Sequence, residues 1–217
     1  MRIVMLGLPG AGKGTQAKRL AAARRVPHVA TGDIFRQAMA DGTPLGRQVQ
    51  EIVARGAYVP DRLTIEIVRE RLAQDDARAG FVLDGFPRTA PQADALDTLL
   101  AARGTGLDHA ILLEMDAEAV IRRLSGRRVC PQCGAIYHVE TDPPGPDGAC
   151  PRCGAAVVQR PDDQADVQRR RVEVYERETA PLVPFYAAQG RLLRLSGAGA
   201  PDDVTARITR ALAEAGA

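Results

Sequence analysis

The sequence contains no tryptophan and no asparagine, and only two of its 29 basic residues are lysines. The missing asparagine excludes every motif that requires one, including the Asn-Lys-x-Asp element with which guanine-specific GTPases read their base. Arginine is therefore the default cation of the chain, and most arginines are expected to be ordinary surface charge. We assign a role to an arginine only where a motif selects it.

The chain also lacks a charge excess and a long apolar segment. Its 29 basic and 27 acidic residues leave a formal net charge of +2, which does not favour a nucleic-acid partner. No apolar run approaches the roughly 20 residues that span a membrane, and a strand begins directly after Met1-Arg2, which leaves no room for a signal peptide. We therefore expect a cytoplasmic protein with no membrane partner, whose four cysteines need an explanation other than stable disulfides.

A glycine-rich segment follows a short apolar run at the start of the chain. Residues 3–6 predict a buried strand, and Gly7-Leu-Pro-Gly-Ala-Gly-Lys-Gly-Thr15 follows it. This matches the phosphate-loop pattern G-x-x-x-x-G-K-[ST], except that Gly14 occupies the serine or threonine position. Glycines let the backbone curl so that its N–H groups point at phosphate oxygens. The helix that follows directs the positive end of its dipole at the same anion, and Lys13 adds a mobile positive charge. The segment predicts a nucleotide phosphate site.

Strands and helices alternate along most of the chain. This alternation is typical of a parallel sheet with helices on both faces, so the predicted fold class is α/β. The five expected strands are residues 3–6, 27–30, 81–84, 110–113 and 192–195. The expected helices are residues 13–25, 34–40, 45–55, 61–74, 91–102, 117–125, 164–179 and 201–215. Thr31 or Asp33 is expected to cap the second of these helices.

Asp84 ends the third expected strand and leads into Gly85-Phe-Pro-Arg88. In open parallel sheets, ligands bind beside the carboxyl ends of the strands. A carboxylate at that place, next to the phosphate loop, suits a water-mediated contact to Mg²⁺. Asp84 is therefore predicted to help hold the magnesium ion of a bound nucleotide.

The alternation stops at Gly126, and the following insert is rich in glycine, proline and cysteine, with β-like pieces at 135–139 and 155–158. Cys130-Pro-Gln-Cys133 and Cys150-Pro-Arg-Cys153 form two C-x2-C pairs separated by sixteen residues. Four thiolates at this spacing fit tetrahedral zinc; four unrelated free cysteines are a poor alternative, and redox chemistry would account for only one pair. Four thiolates leave no open coordination position, so the predicted zinc is structural.

Several segments together resemble adenylate kinases. They are the phosphate loop, Thr31-Gly-Asp-Ile-Phe-Arg36, Asp84-Gly-Phe-Pro-Arg88 with Gln92, Gly126-Arg-Arg128 and Arg160-Pro-Asp-Asp163. The match covers nearly the whole chain and is to the form with a long, zinc-holding lid; Pro161 departs from it, because relatives often have lysine there. The resemblance implies a monomeric nucleoside monophosphate kinase of the P-loop NTPase type, in which MgATP and AMP react reversibly to give two ADP.

The resemblance also divides the chain and assigns residue roles. It implies a core of residues 1–30, 60–126 and 161–217, an AMP-binding helical segment at 31–59 and a lid at 127–160. The ATP set is Gly10, Ala11, Gly12, Lys13, Gly14, Thr15, Arg127, Ile136, Tyr137 and the carbonyl of Gly199. The AMP set is Thr31, Arg36, Ala57, Tyr58, Val59, Gly85, Phe86, Pro87, Arg88, Gln92, Arg160 and Arg171. The catalytic set around the transferring group is Lys13, Arg88, Arg123, Arg160 and Arg171, with Asp84 at the magnesium.

Phosphoryl transfer requires in-line positioning and charge neutralisation but no nucleophile and no histidine base. The three histidines are accordingly expected to be surface or incidental residues.

Three alternatives fit parts of the sequence. A P-loop GTPase needs the missing asparagine, and Asp84 leads into Gly-Phe-Pro instead of D-x-x-G. A zinc-ribbon nucleic-acid binder would use the basic insert, but aromatic residues for stacking are nearly absent. A UMP/CMP kinase or a GTP:AMP kinase is closer. Thr31 and Gln92 favour AMP as acceptor, and pyrimidine kinases more often lack the zinc lid, whereas the choice of ATP over GTP as donor stays open.

Overall fold

The computed structural model describes residues 1–216, and its centre is a parallel sheet of five strands. The strands of the chain are β1 (Arg2–Leu6), β2 (His28–Ala30), β3 (Phe81–Asp84), β4 (His109–Glu114), β5 (Arg127–Val129), β6 (Ile136–His138) and β7 (Leu192–Ser196). The sheet has the order β2-β3-β1-β4-β7, and every neighbouring pair is parallel, whereas β5 and β6 form a separate antiparallel pair. The predicted five-stranded parallel sheet is confirmed.

Helices cover both faces of this sheet, as predicted. They are α1 (Lys13–Arg24), α2 (Thr31–Ala40), α3 (Pro44–Ala54), α4 (Asp61–Leu72), α5 (Ala90–Ala101), α6 (Ala117–Ser125), α7 (Ala165–Glu178), α8 (Leu182–Ala188) and α9 (Pro201–Glu214). Three-residue 3-10 turns lie at Asp75–Ala77, Pro146–Gly148 and Pro161–Asp163. One core cluster packs α1 and α9 on one face, and a second packs α4, α5 and α8 on the other.

Strand β1 shows how a strand that is covered on both faces carries a continuous apolar run. Its side chains alternate between the two faces, with Val4 and Leu6 in one cluster and Ile3 and Met5 in the other. All four side chains are buried, as expected where a parallel sheet is covered on both sides. The register pairs Met5 with Asp84, so the loops that follow β1 and β3 emerge side by side.

One local prediction was wrong. Helix α2 begins at Thr31 itself, after Ala30, and no side chain caps it. The Thr31 hydroxyl instead donates to the carbonyl oxygen of Gly85 at 2.9 Å, so it serves a contact between two segments. The β-like piece at 155–158 forms isolated bridges, from Val158 to Val129 and from Ala156 to Ala149, and no strand.

Two parts of the chain lie outside the sheet and its covering helices. Helices α2 and α3 pack together around Phe35, Val49 and Val59. The insert after α6 has a far smaller cluster, in which Ala135 and Tyr137 pack against two cysteines. Among residues 1–216, no helix combines the length and the apolar character needed to cross a membrane.

Candidate active site

The phosphate loop joins β1 to α1, and its backbone requires glycine at specific positions. Gly7, Gly10 and Gly12 have φ of +133°, +87° and +92°. A Cβ at Gly7 would lie 2.5 Å from the carbonyl oxygen of Leu113, and one at Gly10 would lie 2.7 Å from the side chain of Leu124. Helix α1 begins at Lys13 and directs its free N-terminal N–H groups into this loop. The loop therefore has the backbone shape of an anion cradle.

There is a physical reason why Gly14 stands where the phosphate-loop pattern has serine or threonine. A Cβ at Gly14 would lie 3.1 Å from Oδ2 of Asp84, closer than ordinary contact. The pairing of β1 with β3 brings the Asp84 carboxylate against the first turn of α1. Gly14 leaves room for that carboxylate, and Thr15 supplies the hydroxyl one residue later.

Lys13 is folded back into its own loop. Its Nζ donates to the carbonyl oxygens of Gly7 at 2.7 Å and Leu8 at 2.8 Å. Burial lowers the pKa of Lys13 to about 8, and the charges of nearby arginines add to this effect, whereas Asp84 opposes it. A buried lysine among other cations is a strong attractor for phosphate.

Asp84 has an unexpected neighbour in His28. The two side chains are 19% and 14% exposed, and Nε2 of His28 lies 3.8 Å from Oδ2 of Asp84. Burial raises the pKa of Asp84, but His28 and the charge of Lys13 outweigh it and hold that pKa below its usual value. Asp84 is thus ionised at neutral pH, and His28 is largely buried beside it and does not lie at the surface.

Two of the arginines named by the sequence are held by carboxylates that the sequence did not single out for a role. Arg127 makes a bidentate pair with the fully buried Asp163, at 2.9 Å from Nε and 2.5 Å from Nη2. Arg171 pairs with Asp162 at 2.5 Å. Burial lowers the pKa of Arg171, whose Asp162 partner acts in the opposite direction. Carboxylate partners of this kind keep the two arginines in place and leave neither cation unpaired.

The remaining arginines of the predicted set lie on the same side of the molecule. Arg36 pairs with Asp33 at 2.5 Å. Burial lowers the pKa of Arg160 to about 10, and the charges of Arg36 and Arg127 lower it further. The Nη1 atom of Arg123 would lie 3.9 Å from a Cβ on Gly12, at the base of the phosphate loop. Positive charge thus extends from the phosphate loop to α2.

An open cleft lies between α2, α3 and the turn after β3. It brings together nine of the twelve residues of the predicted AMP set, namely Thr31, Arg36, Ala57, Tyr58, Val59, Gly85, Arg88, Gln92 and Arg171. Phe86, Pro87 and Arg160 do not line it, and the side chain of Phe86 is buried in the core. Asp162 also lines the cleft, together with its partner Arg171.

The turn after β3 is tied by side chains to its surroundings. Thr31 Oγ1 and Arg88 Nε both donate to the carbonyl oxygen of Gly85, at 2.9 and 2.7 Å. The backbone N–H of Arg88 donates to Oε1 of Gln92 at 2.8 Å, and Nε2 of Gln92 donates to Asp61 at 2.7 Å. Thr31 and Gln92, predicted to read adenine, therefore also hold the segment that presents Arg88.

The predicted ATP residues outside the phosphate loop lie in two parts of the chain, the insert and the loop after β7. Arg127 begins β5, and the side chain of Ile136 on β6 is 45% exposed. Tyr137 points the other way, into the insert, where its hydroxyl lies 3.1 Å from Sγ of Cys150. Gly199 lies in the loop between β7 and α9 with φ of +103°.

The four cysteines of the insert converge on one point. Their sulfur atoms lie within 4.8 Å of one another, with 3.4 Å between Cys130 and Cys153 and 3.6 Å between Cys133 and Cys150. A tetrahedron with zinc–sulfur bonds of about 2.3 Å has edges of about 3.8 Å, whereas a disulfide is about 2.05 Å long. Burial raises the pKa of Cys150, but a hydrogen bond from Tyr137 and backbone amides lower it to about 6. The donor set fits a closed metal site.

One residue in contact with the site was not predicted from the sequence. The Thr179 hydroxyl, just after α7, donates to the carbonyl oxygen of Arg88 at 2.8 Å and lies 2.8 Å from the hydroxyl of Tyr58. No motif marks Thr179, because a single threonine before Ala-Pro is unremarkable at the end of a helix. Only the packing of α7 against the turn after β3 reveals it.

Comparison with known proteins gives a consistent result. The family model for adenylate kinase matches residues 5–191. A protein of Acidothermus cellulolyticus named adenylate kinase is 51% identical over 212 residues, which are 98% of each chain. An adenylate kinase of Salinispora tropica is 52% identical, again over 98% of each chain, and one of a Thermoanaerobacter species is 46% identical over the whole of both. With a phosphate loop, an arginine-lined cleft and matches of this extent, the chain belongs to the adenylate kinase family.

Proposed function

We propose that this chain transfers a phosphoryl group reversibly between MgATP and AMP, giving two molecules of ADP. The observation that carries the proposal is the position of Lys13. Its buried amino group lies in the phosphate loop, and the charges of Arg88, Arg127 and Arg171, which come from three other parts of the chain, all act on its pKa. Such a convergence of cations fits the meeting point of two nucleotides' phosphates.

Each nucleotide then has its own place. The phosphates of ATP occupy the loop at Gly10–Thr15, and AMP occupies the cleft with its phosphate toward Arg88 and Arg171. The carboxylates Asp162 and Asp163 give up Arg171 and Arg127 when phosphate arrives, because a dianion is the stronger partner. The residues thus align the acceptor oxygen with the donor phosphorus and neutralise the charge that spreads over the moving group.

Magnesium enters the proposal through Asp84. This ionised carboxylate lies beside the phosphate loop, in contact distance of the first turn of α1, and Thr15 offers a hydroxyl in the same turn. These two residues would hold Mg²⁺ with the phosphates of ATP, where the ion would neutralise phosphate charge.

Two segments are the proposed covers of the site. They are residues 31–59 above the AMP cleft and residues 127–160 above the phosphate loop, with the remainder of the chain as the core. Transfer to AMP instead of water requires that water be excluded, and closure of the adenylate kinase lid is an established example of such a motion. Zinc at Cys130, Cys133, Cys150 and Cys153 would stabilise the second cover, whose own apolar cluster is small.

The proposal also covers partners and location. We expect a cytoplasmic monomer that acts on ATP, AMP and ADP and uses neither a nucleic acid nor a membrane. The near balance of 29 basic and 27 acidic residues supports the first of these exclusions.

The test follows both nucleotides by phosphorus NMR with purified protein, MgATP and AMP. ATP and AMP should disappear in equal amounts while two ADP form for each pair consumed. Starting from MgADP alone, the protein should form ATP and AMP until the same equilibrium ratio of the three nucleotides is reached. The Lys13→Ala variant is the control for contaminating kinase. Release of inorganic phosphate from ATP at a rate independent of AMP would mean an ATPase and would overturn the proposal.

A further inference from the structure

Arg88 is fixed at four points. Its backbone N–H donates to Gln92, its Nε donates to the carbonyl of Gly85, and its own carbonyl oxygen accepts from Thr179. The fourth contact is a ring, because its Cζ lies 4.8 Å from the centroid of Tyr58. Among the hydrogen bonds of residues 1–216, the terminal nitrogens Nη1 and Nη2 of Arg88 donate to no protein group. They are the part of the side chain left for a ligand.

The polarity of the Tyr58–Thr179 hydrogen bond follows from counting protons. A threonine hydroxyl has one proton, and that of Thr179 is used on the carbonyl oxygen of Arg88 at 2.8 Å. The Tyr58 hydroxyl, 2.8 Å away, must therefore donate to Oγ1 of Thr179. A chain of two hydrogen bonds thus runs from Tyr58 through Thr179 to Arg88.

Three separate segments meet in this chain. Tyr58 lies in the connector between α3 and α4, Arg88 in the turn after β3, and Thr179 at the end of α7. Thr179 is 5% exposed, so its hydrogen bonds lie in a protected environment where they are hard to replace by water. The same tyrosine supports the guanidinium with its ring and the backbone of that arginine through its hydroxyl.

We propose that Tyr58 and Thr179 are positioning residues for Arg88, which set its terminal nitrogens toward the phosphate of the bound monophosphate. Neither residue needs to touch that phosphate. The ring of Tyr58 limits the guanidinium to one plane by a cation–π contact, and Thr179 fixes the backbone from which the side chain extends. The inference rests on the proposed function, since it takes the ligand of Arg88 to be AMP.

Tyr58 also lines the AMP cleft, so a role in contacting the base or the ribose is the competing explanation. The two explanations differ in their response to the phosphate. If a residue acts through Arg88, its substitution weakens the binding of AMP but not that of adenosine, which has no phosphate. If a residue touches the base or the sugar, its substitution weakens the binding of AMP and of adenosine to the same degree.

The experiment measures AMP and adenosine binding by NMR titration and calorimetry, on wild type and on four variants with melting temperatures near that of wild type. Tyr58→Leu removes ring and hydroxyl and should weaken AMP binding by about tenfold. Tyr58→Phe keeps the ring and should lower the affinity for AMP about threefold, and Thr179→Val should lower it by the same factor. Thr179→Ser retains the hydroxyl donor and should bind AMP like wild type. Adenosine affinity should be unchanged in all four, and Thr209→Val, a surface threonine on α9, is the neutral control.

A double-mutant cycle completes the test. In an Arg88→Ala background, Tyr58→Leu should have no further effect on AMP affinity, because the side chain through which it acts is gone. Equal loss of adenosine and AMP binding, or an undiminished effect of Tyr58→Leu in that background, would overturn the inference. If Thr179→Val fails to fold, the comparison of Tyr58→Phe with Tyr58→Leu still decides it. Failure of the proposed function looks different, since wild type would then bind no AMP at all.

Discussion

The amino group of Lys13 lies 2.7 Å from the carbonyl oxygen of Gly7, inside its own phosphate loop. With the second contact to Leu8 at 2.8 Å, the loop satisfies two of the three protons of its lysine without a ligand. The amino group of Lys13 is therefore already held at the place where phosphates are expected. When a nucleotide binds, its phosphate oxygens have only to replace the carbonyl oxygens of Gly7 and Leu8 as acceptors for this amino group.

Nucleotide binding should be coupled to proton uptake at this lysine. The pKa of Lys13 is lowered to about 8 by burial, so at pH 8 about half of the amino groups are neutral. A bound phosphate favours the charged form and raises the pKa, so binding at pH 8 should take up about half a proton, and at about pH 7 only about a tenth. Calorimetry of a bisubstrate analogue, two adenosines joined by five phosphates, in buffers of different ionisation enthalpy measures this number. Uptake that persists in Lys13→Ala, or none in wild type, would contradict the assignment.

Removal of either central cation should abolish most of the turnover while the fold persists. Lys13→Ala and Arg88→Ala each take a fixed charge from the transition state, where one such clamp is worth about 10³ in rate or more. Steady-state kcat with MgATP and AMP measures the loss, and circular dichroism checks the fold. Lys18→Ala and Arg62→Ala, which remove exposed charges of the same types, are the matched controls. Near-normal turnover in either central variant would remove that residue from the catalytic set.

Loss of one cysteine should loosen the lid without removing any phosphate-binding charge. We expect Cys130→Ser to lower the zinc content and the melting temperature but to retain substantial activity at low temperature. Structural zinc can contribute roughly 10 kcal/mol to local folding, so the thermal effect should be large. Gln132→Ser, in the same turn, is the control with all four sulfurs intact. If the metal-free protein had unchanged stability, the two cysteine pairs would be turns without a structural metal. If activity were lost completely while the lid stayed folded, the metal would take part in catalysis.

The same bisubstrate analogue should close both covers at once. Limited trypsin digestion can report this, because Arg47 in the AMP-binding segment and Arg152 in the lid are exposed. Cleavage at both should slow when the analogue is bound, whereas cleavage at the exposed Arg103, outside both segments, should not. Protection of only one of the two segments would count against two closing covers.

The elements that the sequence predicted well are those whose signals are local. Strands β1, β3 and β4 each contain a short buried apolar run, and the helix at Ala117–Ser125 was predicted to the residue, since Asp116 caps it and its apolar spacing is regular. Asp84 could be placed beside the phosphate loop because strand ends in a parallel sheet meet at one edge. The cysteines could be grouped because their spacing is itself the signal.

What the sequence could not supply depends on contacts between distant segments. His28 looks like any residue of a short strand, and only the pairing of β2 with β3 brings it to Asp84. Thr31 resembles a helix cap, but its hydroxyl is used on Gly85, 54 residues away. Thr179 was missed for the same reason, since its partner Arg88 is 91 residues distant.

The most direct test of the central claim compares acceptors. Purified protein is incubated with MgATP and, separately, with AMP, CMP, UMP or GMP at equal concentration, and diphosphate formation is followed to obtain kcat/KM for each. Thr31 and Gln92 line the cleft that we assign to the acceptor base, and AMP should be preferred by at least about a hundredfold. Turnover of CMP or UMP equal to that of AMP would contradict the account.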